Sequence, residues 1–400
     1  MRYYMRGYHI LIISLLVMSL VLELPAVAAD NKDTGKGKYI DTHVHLMILR
    51  EGPQEQTGAE GPFQGPRQKG EMRPPPDRPR DKAGPKPSER SEILDYLAAG
   101  ENLIKIMDQY GVKKALLMPP PQIPEQVGRV RNSSAVNLAV VKKHPERFAL
   151  VAGGSELNPL INGTKPSEVN ESIRTGFRRE AEKLVESGAK GFGEMSVLHV
   201  AMQEKHNYSQ AAADHPLFLD LADIAARHNI PIDIHMEAVL SPMETPPFLA
   251  NVSHNPKTLP ATIPAFERLL QHNRKAKIVW QHIGWDNTGN QTPDLLQRLL
   301  REHPNLYAAL RVEEFNLRMR PFRPNALTGD DGTIKPEWRQ LIGEFPDRFM
   351  IGSDEFVGIP GVTRRMPKSF ALTWALLEQL PSDLAWKIGH ENAARVYNLK

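Results

Sequence analysis

Tyr39-Ile40-Asp41-Thr42-His43-Val44-His45-Leu46 decides how the rest of the chain is read. Two histidines two residues apart, approached through Ile40 and flanked by Val44 and Leu46, suit a β-strand, whose two-residue period points Asp41, His43 and His45 to one face. Ligand pairs on a helix need a spacing of three or four instead. A His-x-His pair running into a loop therefore reads as a metal site at the end of a strand. Chance pairs of this kind are common, so the weight falls on where other ligand-type residues lie downstream.

Downstream the pattern alternates. An apolar-periodic segment over 93–110 stops at Gly111, and 112–118 follows as a strand. Helices over 137–144, 168–187, 216–228, 264–272, 293–303 and 336–343 lead in turn to strands over 148–151, 189–195, 230–235, 277–282, 306–310 and 349–353. A helix over 367–380 closes the series. With 40–45 counted first, eight strands are separated by helices, which predicts parallel βαβ units closed into a (β/α)8 TIM barrel. No glycine-rich phosphate loop follows the first strand, which weighs against an open nucleotide-binding sheet.

In such a barrel the C-terminal strand ends share one face, and that face carries the chemistry. This sorts the histidines. His144, His228, His272 and His303 each stand at a helix C-terminus just before a strand, on the opposite face, where a cation suits the helix dipole. His43 and His45 end strand 1, Glu194 ends strand 4, His235 strand 5, His282 strand 6 and Asp354 strand 8. Four imidazoles and two carboxylates arriving at one rim from separate strands point to a metal. With zero cysteines in the chain, any ion must be held by His, Asp and Glu.

These residues resemble the amidohydrolase superfamily, and within it the amidohydrolase-related group that includes aminocarboxymuconate semialdehyde decarboxylase. The likeness is carried by Asp41-Thr42-His43-Val44-His45, His235, His282 and Gly352-Ser353-Asp354, in the family's order on strands 1, 5, 6 and 8. The ending Ile388-Gly389-His390-Glu391-Asn392-Ala393-Ala394-Arg395-Val396-Tyr397-Asn398-Leu399 is similar to the family's closing helix. The resemblance implies that His43, His45, His235 and Asp354 hold a divalent metal, commonly zinc, as one ion or two. His282 is then a catalytic partner or a ligand of the second. Glu194 occupies the strand where binuclear relatives carry a bridging carboxylated lysine or glutamate; a role behind the ligands or against the substrate is favoured over bridging. Lys190 lies roughly 13 Å deeper along an extended strand and cannot take that place.

The mechanism implied has Asp354 take a proton from metal-activated water and return it to the leaving group, while His282 polarises the attacked carbonyl. Arg311, at the end of strand 7, and Arg318, Arg320 and Arg323 after it offer guanidinium groups for a substrate carboxylate, with Glu313 and Glu314 as competing local partners. Trp285, His199, His206 and His254 also fall in loops of this face. The leading expectation is a hydrolase cleaving an ester, lactone or amide of a small, carboxylated molecule. A decarboxylase or hydratase on the same scaffold is the first alternative. A non-catalytic metal-binding or ligand-binding protein is the second, and the presence of Asp354 and His282 beside the metal histidines weighs against it.

The remaining segments bear on location. Arg2 and Arg6, an uncharged apolar run from Ile10 to Leu22 and Pro25-Ala26-Val27-Ala28-Ala29 read as a signal peptide over 1–29, predicting export to a periplasm or outside the cell. No later stretch is apolar enough to span a bilayer of about 20 helical residues. Residues 51–90 are crowded with Pro and Gly and read as a solvated, disordered insertion, with a lid over the site as the competing reading. A net charge of +3, from 50 basic and 47 acidic residues, gives no support for a nucleic-acid partner. A small-molecule substrate is expected, and a homo-oligomer is compatible with the sequence.

Overall fold

In the computed structural model, residues 37–48, 89–127, 132–204, 206–312, 323–359 and 369–400 are described, all within one compact unit, Lys36–Lys400. The predicted signal peptide, nearly all of the 51–90 insertion, and Glu313, Glu314, Arg318 and Arg320 lie outside them. No described helix is long and apolar enough to cross a membrane.

Eight barrel strands alternate with helices along the chain. They are β1 (Tyr39–Leu46), β2 (Val112–Leu117), β3 (Phe148–Gly153), β4 (Gly191–His199), β5 (Pro231–Met236), β6 (Lys277–Ile283), β7 (Leu306–Leu310) and β8 (Phe349–Ile351, continued as Glu355–Val357). Neighbours pair in parallel from β1 through β7. The two parts of β8 then close the ring. Its first part pairs with β7, Ala308 opposite Phe349, and its second with β1, Val44 opposite Glu355. The sequence expectation of one continuous eighth strand needs this refinement: Gly352-Ser353-Asp354 form a bend at which the strand changes partner.

Helix Pro293–Glu302 shows how the outer layer forms. Thr292 accepts a hydrogen bond from the Leu295 N–H, and Pro293 fits the first turn, where no donor is needed. Leu295, Leu296, Leu299 and Leu300 then recur on one face and are buried. Each contributes about 1.5–3 kcal/mol by leaving water. Polar residues on the other face include Arg298 and Arg301, which pair with Glu267 and Glu344.

Two further features position the site. β4 runs on to His199, beyond the predicted 189–195, because Leu198 and His199 pair antiparallel with Gln210 and Ser209. At the other end of the barrel, helix Asn392–Val396 closes the strand starts. Asn392 donates to the Phe349 carbonyl, Lys277 donates to the Val396 carbonyl, and Val396 and Tyr397 pack with Ile40, Val279 and Met350 inside the barrel. The four histidines assigned to that end lie there among helix carboxylates: His144 is 2.9 Å from Glu101, His228 2.7 Å from Glu182 and His272 3.2 Å from Asp223, while His303 is buried.

Candidate metal centre

Strand alternation brings both histidines of the opening motif to the barrel mouth, and their Nε2 atoms lie 2.9 Å apart. The His45 Nδ1 faces the Met118 carbonyl at 2.9 Å, and since a carbonyl only accepts, Nδ1 is the donor. The neutral ring therefore carries its lone pair on Nε2, the atom that faces the cage. Asp41 stitches this strand to the bend in β8. Its Oδ1 accepts from the backbone N–H of His43 at 3.0 Å and of Ser353 at 3.1 Å, and the Asp354 N–H donates to the His43 carbonyl. The clip fixes Asp354 at φ +56°, a left-handed conformation that Asp tolerates better than most residues; His282 sits likewise at φ +62°. Burial pushes the Asp41 carboxyl up to about 7.

One Asp354 oxygen lies 3.6 Å from His43 Nε2 and 3.4 Å from His45 Nε2, and Glu194 Oε2 lies 3.7 and 3.5 Å from the same two atoms. Ligands bonded at about 2.1 Å in a tetrahedron stand roughly 3.4 Å apart, so these separations match a shared ion. The other Glu194 oxygen, Oε1, is 2.8 Å from His235 Nδ1 and 2.8 Å from His282 Nε2. Among the described residues His43, His45 and Asp354, and His43, Glu194 and His282, bring one ligand atom each into mutual reach; His235 meets the cage through Glu194 Oε1 and not as a fourth member of the His43, His45 and Asp354 set that the resemblance implied.

The electrostatics fit a cation. Burial pushes His43 down to about 3, so it stays neutral. Burial also acts to lower His45, but the adjoining Asp354 and Glu194 carboxylates carry it up to about 10. Glu194 is raised by burial yet held well below the carboxylate range by the surrounding imidazoles. Asp354 is likewise held low, against burial, by Arg311 and His282. Two carboxylates held ionised and four imidazoles, of which His45 would give up its proton to an incoming cation, form a donor set for a divalent metal such as zinc, manganese, iron or cobalt.

Around the cage, Arg311 places Nη1 2.6 Å from Asp354 Oδ2 and its guanidinium 3.8 Å over the Trp285 ring. Arg323 also lies over Trp285. His199 stands 4.8 Å from the His235 ring, with Nδ1 donating to the Asn207 carbonyl. His254 is not drawn in; it donates to the Glu204 backbone at the surface. Sequence reasoning gave no role to Asp41 or to Glu237, a buried carboxyl that accepts from Asn287 at 2.7 Å and whose charge acts on His235. The signal for both was their two-residue spacing from a ligand histidine.

Fold and site together define a metal-dependent barrel enzyme of the hydrolase type. The chain belongs to the amidohydrolase family, whose model, described as Amidohydrolase, matches residues 40–399. Among solved structures it is similar to a probable 2-pyrone-4,6-dicarboxylic acid hydrolase from Acinetobacter baumannii with citric acid bound, at 13% identity and a TM-score of 0.44, covering 90% of this chain and 99% of that one. A protein from Agrobacterium tumefaciens, in an apo structure, is similar at 14% identity and a TM-score of 0.43, covering 91% and 97%. No curated protein matches the chain significantly.

Proposed function

We propose that this chain is an exported hydrolase that holds two divalent metal ions, one or both zinc, and cleaves an ester, lactone or amide bond in a small carboxylated molecule. The observation that carries the reading is the placement of the two Glu194 oxygens, each within 2.8–3.7 Å of a different pair of imidazoles. Glu194 Oε2 with His43, His45 and Asp354 would hold one ion. Glu194 Oε1 with His235 Nδ1 and His282 Nε2 would hold the other.

Divalent cations held by these residues would supply Lewis acidity, lowering the pKa of a water so that it could be deprotonated near neutral pH. Asp354 accepts the proton of the attacking water and delivers it to the leaving group. Arg311 keeps the Asp354 carboxylate ionised and aimed, and with Trp285 offers a planar cationic shelf on which a substrate carboxylate is gripped. Export is supported by the Arg2/Arg6 and Ile10–Leu22 pattern.

The test is metal analysis of the purified protein together with an activity screen over lactones, esters, amides and aromatic carboxylic acids. Two metal equivalents and hydrolysis are expected. One equivalent would return Glu194 to a supporting role, and carbon dioxide release without hydrolysis would replace the reaction assigned here by a lyase.

A further inference from the structure

Beneath the cage lies a second set of polar side chains that the proposed chemistry does not use. Asp233 stands two residues before His235 on β5, and Gln281 immediately precedes His282 on β6. Both are buried, with at most 1% of their surface exposed. The Tyr397 hydroxyl, also buried, donates to Asp233 Oδ1 at 2.5 Å. Gln281 lies against both Asp233 and this hydroxyl.

The room for this set is made by glycines on the strands that carry the two carboxylate ligands. A Cβ at Gly193, just before Glu194, would fall 2.8 Å from Asp233 Cβ. A Cβ at Gly352, two residues before Asp354, would fall 3.0 Å from Gln281 Oε1 and 3.2 Å from His43 Cβ. Strands β4, β5 and β6 and the bend of β8 thus each carry a residue of this layer one or two positions before a ligand. The neighbouring interior is apolar, built from Val151, Val279, Ala309 and Met350. Asp233 has no ion-pair partner among the described residues, and Asp233 Oδ2 and both Gln281 amide atoms lack hydrogen bonds of good geometry. A barrel needing only to be packed is served better by hydrocarbon at such positions, because a buried, incompletely satisfied polar group costs roughly 1–3 kcal/mol.

We propose that Tyr397, Asp233 and Gln281 form a positioning floor that sets the height and orientation of His235 and His282, so that the last turn of the chain tunes the half of the metal centre built on Glu194 Oε1. The inference rests on the two-metal reading above. The tie runs from the plug at the closed end through the Tyr397 hydroxyl to β5, whose Asp233 pairs with Val279 of β6, two residues before Gln281. Hydrogen bonds made directly to ligand side chains are worth about 10–100-fold in metal affinity; the floor acts one layer further out, through the strands, so the lower end of that range applies.

Tyr397→Phe removes the hydroxyl and keeps the ring. The variant and the parent are stripped of metal and titrated with Co2+, following visible absorption, stoichiometry and thermal midpoint. The expected result is that the more weakly bound equivalent loses about 10-fold or more in affinity and the Co2+ spectrum changes, with the tighter equivalent unmoved. The second variant pairs Tyr397→Phe with Asp233→Leu, which removes the orphaned carboxyl and restores apolar packing. Recovery of the thermal midpoint with the Co2+ spectrum still altered supports the floor. A single variant that loses stability but binds Co2+ like the parent, or a double variant that recovers both, would overturn it. Should the parent itself bind fewer than two equivalents, the two-metal reading fails first and the floor fails with it.

Discussion

In the proposed mechanism Asp354 concentrates the chemistry in one side chain: it belongs to the cage, accepts from Arg311 and sits at φ +56° in the bend of β8. Asn keeps the shape of Asp and tolerates the left-handed region equally well. Asp354→Asn should therefore fold normally by circular dichroism and lose about 10²–10⁴-fold in kcat, the range expected for a positioned proton-transfer group; an active Asn variant would remove Asp354 from the mechanism. That this residue was legible follows from its place at a strand end, as with His235 and His282, because a two-residue period and a parallel barrel already dictate which end faces the chemistry. The carboxylate of Glu194 was legible in position but not in reach. Alternation places a side chain on a face, yet says nothing about which of its two oxygens meets which neighbour. The Asp41 clip was hidden for a related reason, since its partner Ser353 lies 312 residues away.

At the scale of the element, the helix-strand alternation was readable because Gly, Pro and helix-end histidines punctuate each unit. The split of β8 was not, because only the closing of the ring shows that 349–351 and 355–357 pair with different strands. Junctions of this kind tolerate little added volume. Gly154, just past β3, would bring a Cβ within 2.5 Å of the Pro119 carbonyl oxygen and 3.0 Å of the Glu194 carbonyl oxygen, both backbone atoms. Gly154→Ala should therefore cost about 1–3 kcal/mol or more by overpacking, read as a lower denaturation midpoint at unchanged m-value.

Helix Pro216–His228 supplies a pH-dependent case. Its cap is His215, whose Nδ1 accepts from the Leu217 N–H at 3.2 Å while Nε2 donates to the Thr164 carbonyl at 2.8 Å. The Leu217 bond needs the neutral ring, whereas the Thr164 bond survives protonation; burial holds the pKa below the usual value of 6.5, against the Thr164 bond and Asp214. Above pH 6.5 neither the folded nor the unfolded state binds this proton and the contribution is complete. As pH falls from 6.5 toward the lowered folded value, the unfolded state binds a proton that the folded state refuses, and stability declines. His215→Asn retains a capping oxygen without that proton. Its stability, followed by denaturant titration, should fall less steeply than that of the parent over this window, by up to one proton in slope; parallel curves would show that His215 does not titrate in this way.

Across the whole molecule the proposed centre ties five of the eight strands, β1, β4, β5, β6 and β8, to one cage. No short piece of the chain contains it, so an unfolded chain offers no comparable site, and metal bound only by the folded state stabilises it by mass action. A thousandfold excess over the dissociation constant is worth about 4 kcal/mol. For a barrel of this size that corresponds to roughly 5–10 °C in thermal midpoint. Chelation should lower the midpoint by this order, and re-addition of Zn2+ or Mn2+ should restore it, rising with the logarithm of the metal concentration. Differential scanning fluorimetry with parallel metal analysis reads both. If the metal leaves and the midpoint stays, the six side chains do not hold it and the barrel stands on its apolar layers alone; if the midpoint follows the metal, the ligands of the proposed centre also hold the ring of strands together.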